Sequence, residues 1–130
     1  IPKGTTIIEY TGEKVKKKIG YKRADKHLPK VWVFELSHHY LIDGKFSRNH
    51  ARLINHSCNP NCEVLEYNKQ LWIFAMRDIK KNEELTYDYG FSFDKDYKQY
   101  VCKCGSRKCV GYIVREGSRW RIKKAKSVSV

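Results

Sequence analysis

The chemistry in this chain rests on a pair of phenols, a polar loop and a set of thiols. Tyr87 and Tyr89 stand two apart in Glu84-Leu85-Thr86-Tyr87-Asp88-Tyr89-Gly90, downstream of the polar stretch Asn55-His56-Ser57-Cys58-Asn59-Pro60-Asn61. A Cys-x-Cys-x4-Cys triplet follows at Cys102, Cys104 and Cys109. Tyrosines at i and i+2 of a strand share one face. Most such pairs pack across strands. A polar Asn-Pro loop is by itself an ordinary turn. Here its approach, residues 49–54, is half apolar and reads as carrying the loop inward. Polar groups there need partners. Structural zinc takes four ligands; the triplet gives three, and Cys58 is available as the fourth. Cys62 reads as a small apolar residue on a strand. A Cys–His nucleophile from His56 and Cys58 is disfavoured, because such pairs come from separate segments of the chain.

The elements that must position these groups are short. Residues 5–10 read as a strand, with a turn at Thr11-Gly12. Residues 14–27 are charged and helical in part, with Gly20 as an interruption. Beyond Pro29, the aromatic and β-branched residues 31–36 form a strand, and residues 40–43 a shorter one ending at Gly44. Residues 47–54 fit one or two helical turns capped by Ser47. Residues 62–67 and 70–76 read as a hairpin across Asn68-Lys69; its second strand is apolar throughout and belongs at the sheet centre. A turn at 80–82 leads to a last strand, 83–89. Residues 91–100 link to a metal knuckle at 102–111, and residues 114–130 form a basic tail with Trp120 as its apolar anchor. Internal repeats and low-complexity tracts are absent from the sequence. Many short strands and little helix predict a mainly β fold of several small sheets. A plain sandwich would leave the polar run 55–61 between apolar segments unexplained.

With 130 residues, 41% of them hydrophobic, the chain suits one domain whose modest core a metal would reinforce. No run approaches the roughly 20 apolar residues of a membrane helix, and no signal peptide is visible. The first residue is not Met, so a natural N-terminus is expected to lie further upstream. Net charge is +13, from 27 Lys+Arg against 14 Asp+Glu. Such a surface attracts polyanions by counterion release, so nonspecific nucleic-acid contact is expected, though no base-reading motif is present. Five cysteines with tight spacing favour zinc in a reducing compartment over disulfides.

In this order and spacing the three pieces resemble a SET-domain protein lysine methyltransferase with a post-SET zinc motif. The resemblance covers about residues 1–113. It is similar both to small stand-alone bacterial members and to the catalytic cores of larger chromatin enzymes. It implies a SET domain over residues 1–93, a linker at 94–101, a post-SET knuckle at 102–113 and a tail at 114–130. It also implies a knot-like passage of the 87–89 segment past the 55–57 loop. Family members open with a Gly-x-Gly strand before a turn like Ile1-Pro2-Lys3-Gly4; that strand is expected to precede this sequence.

The resemblance assigns roles residue by residue. Tyr89 stands beside the transferring methyl, Tyr87 lines the substrate channel, and Tyr10 is a third channel aromatic. Asn55 and His56, with Arg52 nearby, hold S-adenosylmethionine (AdoMet); Trp32 and Tyr112 are further cofactor contacts. Cys58, Cys102, Cys104 and Cys109 bind one structural Zn2+. Members with Tyr in the channel tend to add one or two methyl groups, so mono- or dimethylation is expected. The substrate lysine must arrive neutral, although free Lys has a pKa of about 10.4; a narrow apolar channel and a nearby cationic sulfonium both favour its neutral form. The implied substrate is a histone tail or another basic protein, the implied state a monomer. The implied compartment is the nucleus in a eukaryote, or the cytoplasm in a bacterium unless the protein is exported to a host. The rival reading is a non-catalytic, zinc-containing chromatin or peptide-binding module.

Overall fold

The computed structural model describes residues 1–26, 32–36 and 39–122. Among the described residues, eight short strands form two sheets, with the α-helix α1 (Lys17–Lys26) beside them. In the larger sheet, β1 (Thr6–Tyr10) pairs antiparallel with β7 (Gln70–Ala75), and β7 with β6 (Cys62–Tyr67). Asn68 and Lys69 join β6 to β7 with φ of 50° and 61°, the paired positive values that a two-residue hairpin turn requires. β7 is an interior strand, flanked by β1 and β6, but second in the five-strand order and not its centre. Its burial alternates, with Leu71, Ile73 and Ala75 directed into the core.

The smaller sheet has the order β2 (Glu13–Lys16), β4 (Tyr40–Asp43), β3 (Val33–Glu35). The helix α1 (Lys17–Lys26) follows β2 directly. Gly20 does not interrupt it: a Cβ there would overlap Leu41, so the bare backbone lets α1 lie close on β4. The start of the expected helix is strand β2, and its end at His27 lies outside the described residues, as does Val31 at the start of the expected 31–36 strand.

Two further expectations are corrected. Ser47 is not a helix cap. The 3-10 helix His50–Leu53 follows Asn49, which makes no side-chain cap bond. Asn49 is instead buried, its amide donating to Gly44 O at 2.9 Å and accepting from Thr11 N–H at 3.1 Å. The last strand, β8, spans only Thr86–Tyr87. On either side of it the backbone bonds to side chains rather than to a ladder: Asn61 Nδ2 donates to Glu84 O, and Tyr89 N–H donates to His56 Nδ1.

β8 lies between β6 and β5 (Asn55–His56) and runs parallel to both, with Asn55 opposite Thr86 and Cys62 opposite Tyr87. This threaded insertion brings the two sequence motifs side by side. The main core gathers Tyr10, Leu71, Ile73 and Tyr87. A second cluster surrounds Cys58 and Cys102 with Val110, Val114 and Ile122. Trp120 is not the anchor of the tail: it is 56% exposed, while Val114 and Ile122 are buried. Residues 123–130 lie outside the described part.

Candidate active site and metal centre

The 87–89 segment and the 55–58 loop meet at His56. Tyr89 N–H donates to His56 Nδ1 at 3.1 Å, and Ser57 N–H donates to Tyr87 O at 3.3 Å. Since Nδ1 accepts, the imidazole proton belongs on Nε2, which faces Cys58 Sγ at 3.7 Å. Burial holds the His56 pKa down to about 4, against the pull of the Asp88 carboxylate and with a further push from Arg119. The ring is therefore neutral at pH 7, and the Asp88 oxygen 3.9 Å from Nδ1 does not form an ion pair with it.

The Tyr89 hydroxyl donates to Ile54 O at 2.6 Å. Its ring packs on Tyr87, with centroids 4.9 Å apart, and on Phe91 at 5.6 Å. Tyr10 and Tyr87 lie deeper, 1% and 3% exposed, linked through Phe34. Tyr10 donates its hydroxyl proton to Trp32 O at 2.7 Å. Burial raises the pKa of all three phenols, so all are protonated at neutral pH. Gly44 permits this arrangement, because a Cβ there would overlap the Tyr10 ring and the Asn49 amide.

A cleft of about 890 Å³ opens over this aromatic stack. Phe34, Tyr89, Phe91 and Tyr100 line it, whereas Tyr10 and Tyr87 form its support rather than its wall. Six carboxylates besides Asp88 border it: Asp25, Glu35, Glu63, Glu66, Asp94 and Glu116. No Lys, Arg or His stands among its described lining residues. In a chain of net charge +13, this is a local reversal of sign. The acidic residues between 83 and 94 divide: Asp88 and Asp94 line the cleft, while Glu83 bonds to Arg77 and Asn61, and Glu84 to Asn55.

The expected cofactor residues are spread around the loop. The exposed Asn55 amide donates to Glu84 Oε2 at 2.9 Å, and half-buried Arg52 donates from Nε to Phe46 O at 3.2 Å. Trp32 is half-buried at the edge of β3. Tyr112 lies apart from these, edge-on to Tyr97 at 5.1 Å beside the thiol cluster. The aromatic wall at Phe34, Phe91 and Tyr100 escaped the sequence reading.

The four thiols of Cys58, Cys102, Cys104 and Cys109 all lie within 4.8 Å of one another. Cys58 and Cys102 Sγ are 3.8 Å apart, close to the separation of about 3.8 Å between sulfurs of a tetrahedral Zn–S4 site. The donor set and spacing fit zinc. Burial pushes the Cys58 and Cys102 thiols up. At Cys104 burial acts the same way, but bonds from the backbone of Cys58 and Ser106 outweigh it and bring the pKa to about 6. Metal binding at neutral pH must therefore release protons from the buried thiols.

Residues 1–90 match the SET domain family. The chain is 38% identical to "Histone-lysine N-methyltransferase, H3 lysine-4 specific" of Chaetomium globosum, over 87% of this chain and 11% of that protein. It is also 38% identical to "Histone-lysine N-methyltransferase trr" of Drosophila melanogaster, over 84% and 5%. The same identity is found to "Histone-lysine N-methyltransferase trithorax" of Drosophila virilis, over 87% and 3%. The chain thus spans about a tenth or less of the length of these relatives. Threaded β8, the buried tyrosines and the match over residues 1–90 agree: the chain belongs to the SET-domain family.

Proposed function

We propose that this protein transfers methyl groups to the side-chain amine of lysine in a basic protein, a histone tail above all. The observation that carries the reading is the cleft with Tyr89 in its aromatic floor and carboxylates around its rim. The rim favours a cationic peptide; the apolar floor favours loss of the proton from the one lysine that reaches it. Tyr89 directs its O–H at Ile54 O, which leaves oxygen lone pairs to accept from the incoming amine. Tyr10 and Tyr87, neutral and buried, hold that phenol in place. AdoMet, when bound, supplies the methyl as a sulfonium. The Asn55 amide and the Arg52 guanidinium offer the donors that suit its carboxylate, and Trp32 and Tyr112 are secondary contacts. Zinc on the four thiols has a structural part only. Product is limited to mono- or dimethyllysine, because the Tyr89 hydroxyl at the cleft floor takes up space a third methyl would need. By likeness to relatives named as histone-lysine methyltransferases the protein works in the nucleus, and we expect it to act as a monomer.

The test is transfer of labelled methyl from AdoMet to core histones and to a cell extract, by the full-length protein. Tyr89→Phe removes an acceptor for the amine. It lowers turnover about 10- to 100-fold, the equivalent of one hydrogen bond lost at the transition state. Mass spectrometry of the product then shows one or two added methyls. Bound zinc without any transfer would point to a peptide-binding module instead.

A further inference from the structure

The chain beyond the thiol cluster contains the one lysine or arginine that is buried among the described residues. Arg119 is 8% exposed. Its guanidinium donates in three directions: Nε to Val114 O at 3.0 Å, Nη1 to Cys58 O at 2.7 Å, and Nη2 to Asp88 Oδ2 at 3.0 Å. Asp88 is fixed in turn, accepting from Gly90 N–H at 2.8 Å on Oδ1 and from Glu116 N–H at 3.0 Å on Oδ2. Val114 and Ile122 pack beside it in the cluster around Cys58 and Cys102.

A buried guanidinium is costly unless a carboxylate and further acceptors satisfy it. Here two of the three partners are distant in the chain. One is the carbonyl of the loop that carries Asn55 and His56. Another is the residue between Tyr87 and Tyr89. A planar fork suits such a span, whereas an ammonium, a point charge, cannot reach all three acceptors in one plane. The thiol cluster also grips Cys58, but its other three members come from residues 102–109 and none from the Tyr87–Tyr89 segment.

We propose that Arg119 is a positioning residue for methyl transfer, a clamp separate from the metal that fixes the spacing between the 55–58 loop and Tyr89. The inference rests on the cofactor and phenol roles given above. The clamp acts on both sides of the reaction: the loop that holds the cofactor and the phenol that orients the amine.

The experiment compares wild type, Arg119→Lys, Asp88→Asn and the double variant, in the full-length protein at a temperature well below unfolding. Three quantities are read: zinc per chain, AdoMet affinity by calorimetry, and kcat with a histone peptide. Each single variant is expected to retain one zinc, to bind AdoMet about 10-fold more weakly and to lose about 10-fold in kcat, since small misplacements of reacting groups are costly. The double variant is expected to be no worse than the weaker single one, because both changes open one clamp. Unchanged affinity and kcat in both single variants, or additive losses in the double variant, would overturn the proposal. So would loss of zinc or of a cooperative fold in both, which would make the pair a folding requirement only. If wild type itself binds no AdoMet, the site reading falls and this inference with it.

Discussion

At the scale of single residues, the buried phenols have a consequence that absorbance can read. Tyr10 and Tyr87 have pKa values raised above their ordinary value by burial, while in the unfolded chain both return to about 10. Above pH 10 the unfolded state loses protons that the folded state keeps. Stability is therefore complete below pH 10 and falls as pH rises further. In an alkaline titration followed by phenolate absorbance, Tyr10 and Tyr87 are expected to ionise only together with unfolding, as a cooperative step. Phe at position 87 should shrink that step. Tyr89, Cys58 and the thiol triplet were legible in the sequence because such residue types are sparse and their spacing is tight. Phe34, Phe91 and Tyr100 were not, since an aromatic on a strand or linker ordinarily packs. Arg119 was not legible either. It stands in a run of cations that looks like solvated surface, and its burial is set by Cys58, 61 residues away.

At the scale of elements, local chemistry decided what could be foreseen. The β6–β7 hairpin was visible because its turn residues and flanking apolar runs carry their own instructions. The short length of β8 was not, because the groups that end it are side chains of Asn61 and His56 on other segments. The knuckle makes a sharper prediction. Cys58 is the only thiol of the four outside residues 102–109, so a metal held by all four would join that segment to the loop that follows β5. Removal of zinc by a chelator is expected to loosen residues 97–122 while β1, β7 and β6 stay paired. Limited trypsin digestion should then cut at the exposed Lys98, Lys103, Arg107 and Lys108, leaving an N-terminal fragment resistant. Equal digestion of metal-free and zinc-bound protein would count against the staple.

For the whole molecule the two signs of charge act on different partners. The net charge of +13 repels a basic peptide at long range, while the carboxylates of the cleft attract it at short range. Salt screens the first over a Debye length of about 10 Å at 0.1 M and spares contacts in the cleft more. Between about 20 and about 100 mM salt, KM for a lysine- and arginine-rich peptide should fall or hold steady, and at about 1 M it should rise as the cleft itself is screened. Nonspecific nucleic-acid binding should decline throughout the same range. A neutral peptide with one lysine serves as control, with KM that responds little to salt.

The insertion of β8 and the reach of Arg119 back to Cys58 also set a clock on biosynthesis. Cys58 leaves the ribosome 44 residues ahead of Cys102 and 61 ahead of Arg119. At about 5–20 residues per second, the last of these partners follows roughly 3–12 s after the loop it must grip. Throughout that interval the loop has emerged without its clamp, and the site is incomplete. The last of the contacts that join the 55–58 loop to the rest of the site therefore closes only after residue 119 has emerged.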